Sequence, residues 1–198
     1  MSVTVIDSLW PSDPDRREIL RYMRCSDGDP TIDNLVDEAI NICKDKLSYK
    51  ACYAEFEVKI DGSSCDFGFT TVESKSLAER LAGCSGAVVF AATVGLDIDR
   101  LILRYGRIRP SLAVAIGAVG TERVEALCDS VSAALGAEYA ERGASLKPRY
   151  SPGYGDLSLS VQREIFAALG CDRRIGLTLN DSMIMSPSKS VTAIIGIY

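Results

Sequence analysis

Apolar positions change their period several times along the chain, and each change marks a new element. Ile19, Leu20 and Met23 share one face of a helix expected over residues 14–24, with Ser12 or Asp13 as its cap. After the break Ser26-Asp27-Gly28-Asp29-Pro30, the positions Ile32, Leu35, Val36, Ala39, Ile40, Cys43 and Leu47 recur at three- and four-residue spacing. That is the clearest amphipathic helix in the sequence. The period then falls to two. Ala54, Phe56, Val58 and Ile60 alternate with Tyr53, Glu55, Glu57 and Lys59, and Cys65, Phe67 and Phe69 alternate again after Asp61-Gly62. Residues 52–70 therefore predict an antiparallel hairpin.

A short helix over 74–81 precedes a strand over 87–94, the latter apolar throughout, as a strand covered on both faces would be. It should hold the middle of a sheet. Gly95 opens a further helix with Ile98, Leu101, Ile102 and Tyr105 on one face and Gly106 as its stop. Pro110 suits the first turn of a long helix reaching about residue 140, with Leu112, Ile116, Val119, Leu127 and Val131 inward. Gly117 and Gly120 inside it predict a bend, or another backbone close by. A helix over about 157–169, stopped by Gly170, precedes strand-like runs at 182–185 and 191–197, joined through Pro187. Helices and hairpin-like strands mixed without regular alternation predict an α+β fold, with a mainly antiparallel twisted sheet flanked by helices. The 198 residues suit a single domain, with a helical N-terminal part over about 12–48.

Composition narrows the chemistry. With 22 basic against 27 acidic side chains the net charge is −5, which disfavours nucleic acid as a partner. The seven cysteines contain no C-x-x-C pair and read as free thiols of a reducing cytoplasm. The N-terminus lacks a signal pattern, and no run approaches the roughly 20 apolar residues that span a bilayer, so no membrane partner is expected. There is no histidine, which removes imidazole nucleophile pairs and histidine-bound metal; no metal site is expected.

The candidate site is the stretch R-Y-S-P-G-Y-G-D, residues 149–156. On its own it reads either as a Pro-Gly turn with Arg149 paired to Asp156, or as a ligand cradle. In a cradle Arg149 would grip a carboxylate, Gly153 would admit a ligand to the backbone, and Tyr154 would cover a flat base. Those groups suit an amino acid joined to a nucleoside. The stretch holds neither a dinucleotide fingerprint nor a phosphate loop. Glu125 and Asp129, one turn apart on the long helix, either face solvent or project into a site together. Cys171, beside Arg173 and Arg174, is the best candidate for a reactive thiol, with an inert cysteine as the plainer reading. Gly95-Leu96-Asp97 lies where open sheets bind ligands, or is simply a helix start.

Arg149-x-x-x-Gly153-Tyr154 resembles the R-x-x-x-G-Y motif of the activation domain of cobalamin-dependent methionine synthase. L-N-D-S-M-I-M-S-P-S-K-S-V (179–191) is similar to that family's L-T-E-S-x-x-M-x-P-x-x-S-V segment. Blocks at 19–24, 90–95 and 124–129 resemble stand-alone members, so the likeness covers nearly the whole chain. The resemblance implies an S-adenosylmethionine-binding domain. It would support reductive methylation of cob(II)alamin carried by a partner methionine synthase subunit or other corrinoid protein, with a flavodoxin-like electron donor. It implies no catalytic side chain of its own. Arg149 would bind the methionine carboxylate, Gly153 would allow close backbone approach, Tyr154 would lie against the adenosine, Pro152 would belong to the same binding site, and Glu125 would balance the ligand's positive charge. Two departures accompany it. The family's domain continues past the final strand whereas this chain ends at Tyr198, so contacts from that extension are expected to be missing or replaced. Asp7 is the candidate for the family's N-terminal aspartate.

Overall fold

A computed structural model of the protein describes residues 2–198. The chain runs through β1 (Thr4–Ile6), α1 (Arg16–Met23), α2 (Pro30–Cys43), β2 (Lys50–Glu57), β3 (Lys59–Asp61), β4 (Ser64–Asp66) and β5 (Thr71–Glu73). Then come α3 (Lys75–Leu81), β6 (Gly86–Thr93), α4 (Asp97–Ile108) and the long α5 (Pro110–Glu141). A 3-10 turn at Leu159–Val161 leads into α6 (Gln162–Leu169), α7 (Cys171–Ile175), β7 (Thr178–Leu179), β8 (Met185–Ser186) and β9 (Ser190–Ile197).

The main sheet is antiparallel in the order β1-β2-β6-β9, so β6 is an interior strand, as its unbroken apolar run predicts. All eight residues of β6 are buried, and strand alternation divides them between two cores. Val88, Phe90 and Ala92 face the layer of α1, α2 and α5, whereas Ala87, Val89 and Ala91 face α3, α6 and α7. Each fully buried large apolar side chain contributes about 1.5–3 kcal/mol, so the strand that serves both layers anchors both. The result is the expected α+β arrangement, an antiparallel sheet flanked by helices. No helix among the described residues is long and apolar enough to cross a membrane.

Several boundaries differ from the sequence reading. The strand β1, not anticipated, pairs with β2. Helix α1 is capped by Asp15, whose carboxylate accepts from Arg17 N at 2.8 Å and Glu18 N at 3.3 Å, rather than by Ser12 or Asp13. The hairpin over 52–70 is only partial. Residues 50–57 stay in register with β6 to its first residue, Gly86, and with no neighbour left the chain forms a small separate sheet β3-β4-β5. Gly106 does not stop α4, which continues to Ile108 because its end is set by the residue before Pro110. The long helix is unbroken through Gly117 and Gly120. A Cβ at Gly120 would sit 2.7 Å from Ile98 Cγ2 and 3.0 Å from Lys189 Cγ, so side chains, not another backbone, need that space. Of the expected strand 182–185 only Met185 is in a strand. The Asn180 carbonyl Oδ1 accepts from Ser182 N and Ile184 N, both at 2.9 Å, and closes a polar turn that leaves only Met185–Ser186 to pair with β7.

Candidate functional site

The candidate cradle is positioned by the outer edge of β9. Residues 145–150 pair along that edge: Ser145 and Tyr198 exchange bonds, Lys147 N donates to Gly196 O, and Tyr150 and Ile194 exchange two bonds of 2.8 Å. The register shifts by one residue between Leu146, opposite Ile197, and Tyr150, opposite Ile194, so Leu146 packs on the α5 side and Tyr150 on the α3 and α6 side, while Arg149 reaches Glu125 and Asp129 of α5. The pairing ends there because Pro152, which would come next opposite Thr192, has no N–H to donate.

The chain then makes a tight turn. Gly153 and Gly155 both have positive φ, at 94° and 55°. A Cβ on Gly155 would fall 2.5 Å from the Tyr150 hydroxyl, which donates to Tyr154 O at 2.9 Å, so this position accepts only glycine. Gly153 serves the turn: a Cβ there would meet Leu159 at 3.3 Å, on the turn's own packing side. Asp156 fixes the turn to the N-terminus of α3. Its carboxylate accepts from the Ser74 hydroxyl at 2.6 Å, Lys75 N at 2.8 Å and Ser76 N at 3.2 Å, and from the Ser76 hydroxyl. The pairing of Arg149 with Asp156, one of the two sequence readings, is therefore not made.

Those bonds, the Ser74 hydroxyl foremost, hold the Asp156 carboxyl well below its ordinary value of 3.8. A carboxylate with a lowered folded pKa contributes stability that is fully present above its unfolded pKa and is lost as the pH falls below it. The Tm gap between the wild type and Asp156→Asn is thus expected to be large at neutral pH and to shrink below about pH 3.8. Thermal melts at pH 7 and pH 3 check this, and a gap unaffected by pH would contradict it.

Arg149 is held by both carboxylates of the long helix. Its Nη1 and Nη2 donate to Glu125 Oε2 at 3.1 and 3.0 Å, and Nη2 also donates to Asp129 Oδ1 at 2.7 Å. Glu125 and Asp129 therefore do project together, and the cluster of one cation and two anions carries a net charge of −1. Beside it opens a cleft of about 550 Å³, inside the roughly 300–1,000 Å³ range of small-molecule sites. Arg149, Glu125, Pro152 and Tyr154 line it; Gly153 does not. Arg80, stacked 4.4 Å over the Tyr150 ring, and Met185 complete the walls.

Two further residues of this cleft escaped the sequence reading. Gln162, the first residue of α6, and Thr192, on β9, are 5% and 2% exposed, and Gln162 Oε1 and Thr192 Oγ1 have no hydrogen-bond partner. Nothing in their local sequence marks them, because it is the sheet edge that brings residues 149, 162 and 192 together.

The remaining candidates separate cleanly. Cys171 is fully buried in α7 against the free thiol of Cys52, and a hydrogen bond with it, together with burial, pushes the Cys171 thiol far up, so it is no thiolate. Cys128 lies behind Arg149 with its thiol pushed up to about 12 by burial. Neither is a nucleophile near neutral pH. Gly95, Leu96 and Asp97 line a smaller hollow of about 270 Å³, where Asp97 is paired to Arg100 at 2.8 Å. Asp7 comes directly after β1, at the opposite edge of the sheet from β9 and the cleft. Another hollow of about 390 Å³, between α6 and β7, contains Arg163 and Asp181 but none of the unpartnered polar atoms. The described residues hold no group of three or more metal-ligating side chains.

By sequence the chain matches no protein-family profile and no curated protein. Its structure is similar to a crystal structure of the MetH reactivation domain bound to AdoHcy. The TM-score is 0.73 at 13% identity, over 99% of this chain and 78% of that one. The protein thus has the fold of that reactivation domain.

Proposed function

We propose that the protein binds S-adenosylmethionine in the cleft beside Arg149 and serves as a reactivation module for a cobalamin-dependent methionine synthase. The observation that carries this reading is the pair Arg149 and Glu125 at one end of the cleft, with Asp129 bonded to the same guanidinium from outside its lining. An α-amino acid presents a carboxylate and an ammonium, and an arginine flanked by two carboxylates offers a partner to each. The net charge of −1 also suits a ligand with a sulfonium. Tyr154, 66% exposed at the rim, is free to close over a flat base. The fold's relative was solved with AdoHcy, which supports the same ligand class.

The chemistry implied is methyl transfer from a sulfonium to a cobalt(I) centre on a partner, which needs alignment more than acid-base groups. A chain without histidine and with inert buried thiols is compatible with that task. Its own residues bind and orient the sulfonium, and the cobalamin and a flavodoxin-like electron donor belong to partners. Seven free cysteines suit a cytoplasmic setting.

A second reading rests on the same arginine. Because Glu125 and Asp129 already occupy it, a ligand carboxylate must displace one of them, and a scaffold that retains the fold would keep the closed cluster. The two readings part in a pull-down of a corrinoid-loaded methionine synthase lacking its own activation domain. Capture that increases with added S-adenosylmethionine is expected, whereas equal capture with and without it supports the scaffold. Capture of a different corrinoid methyltransferase alone would change the client.

A further inference from the structure

The cleft has two unlike ends. Arg149 and Glu125, with Asp129 bonded to Arg149 from behind, make the α5 end charged; on the other side of the β9 edge Arg80 covers Tyr150, and Met185, Gln162 and Thr192 form an uncharged patch. Two residues of that patch carry buried side-chain atoms without a partner, Gln162 Oε1 and Thr192 Oγ1. Buried polar groups are nearly always hydrogen-bonded, and one left unpaired destabilises the fold. Ser190, two residues away on the same face of β9, shows the ordinary outcome: its hydroxyl lies 2.8 Å from both Thr93 Oγ1 and Pro187 O. The segment that pairs along the strand edge stops short of the same place. Ile194 and Gly196 direct their backbone groups to the outer edge, so Thr192 does too, and the chain turns away at Pro152 before reaching it.

We propose that Gln162 and Thr192 recognise the amino-bearing edge of the ligand's heterocycle and set the specificity of their part of the cleft. The proposal rests on the nucleoside-ligand reading above and adds the residues that tell one base from another. A carbonyl oxygen can only accept, so Gln162 calls for an N–H, and the Thr192 hydroxyl can donate to an adjacent ring nitrogen. An aminopurine presents that pair: an exocyclic amine beside an unprotonated ring nitrogen. A 6-oxo purine replaces the amine by an acceptor and leaves the Gln162 carbonyl unpaired. Sites built to hydrogen-bond a group reject analogues that lack it.

Two changes of opposite sign are expected from one substitution. Thr192→Val and Gln162→Leu remove an unpaired buried polar group, so the ligand-free variants should melt about 2–4 °C above the wild type. Their affinity for S-adenosylhomocysteine should nevertheless fall. In calorimetry the wild type should prefer S-adenosylhomocysteine over S-inosylhomocysteine by about tenfold or more. Gln162→Leu should bring that preference to within about twofold, and Gln162→Glu, which keeps the acceptor, should restore it.

A wild type that binds both nucleosides equally, or a Gln162→Leu variant that keeps the full preference, would overturn the assignment while leaving the ligand reading intact. A wild type that binds neither would overturn both. Thr192→Val is a near-isosteric change, so it tests the same end of the cleft if Gln162→Leu folds poorly; unchanged affinity there removes Thr192 from the site.

Discussion

Replacing Arg123 by methionine is expected to cost about 3–5 kcal/mol of stability, and replacing Glu122 by methionine a similar amount. The two are neighbours on α5, 2% and 5% exposed, with Arg123 Nε and Nη2 donating to Glu122 Oε2 and Oε1 at 2.6 and 2.5 Å. Arg123 also donates to the backbone oxygens of Ser12 and Asp13, and Glu122 Oε1 accepts from Asp15 N at 3.2 Å. The pair therefore fixes the segment that leads into α1. Removing one member leaves the other charge buried and unpaired, which is the costly case. Removing both for apolar groups costs less than the sum of the singles, since no orphan charge remains. For a chain of this length each single change should lower Tm by about 10 °C, by roughly 2–4 °C per kcal/mol. Thermal melts of both singles and the double mutant check this. Losses under about 2 °C, or strictly additive ones, would show that the pair is not coupled.

The same pair illustrates where the sequence was legible. The stripe Leu112, Ile116, Val119, Leu127 and Val131 identified the long helix and its inward face, and all five are buried. Yet Glu122 and Arg123, two charged residues in an apolar helix, gave no sign of being buried, because their partners come from residues 12–15, more than a hundred positions away. The interior strand was equally plain from A-V-V-F-A-A-T-V, whose lack of alternation reports two covered faces. Strand β1 was not, being three residues long and only partly buried. At the site, Arg149, Glu125, Pro152 and Tyr154 were picked out and do line one cleft. Gly153, in sequence a point of ligand approach, lies outside that lining, its positive φ serving the turn. Asp156, in sequence an equally available partner for Arg149, instead caps α3. A local motif specified the turn, whereas the groups around it depended on pairing across the sheet edge, which single-chain patterns do not encode.

The second large effect concerns Arg149. Truncation to alanine should leave the fold nearly intact, because Glu125 and Asp129 are 38% and 73% exposed and hydrate once freed. Partly exposed pairs of this kind are worth about 0–1 kcal/mol. Ligand binding should respond very differently. A guanidinium gripping a carboxylate in a partly desolvated site is worth about 2–4 kcal/mol, or roughly 30-fold or more in Kd. Arg149→Lys, which keeps the charge and loses the planar fork, should fall between the two. Calorimetric titration of S-adenosylmethionine into the wild type and Arg149→Ala, matched for Tm, tests the central claim most directly. Saturable binding by the wild type that weakens about 30-fold or more in Arg149→Ala is the expected result. Equal binding by both, or no binding by a folded wild type, would contradict it.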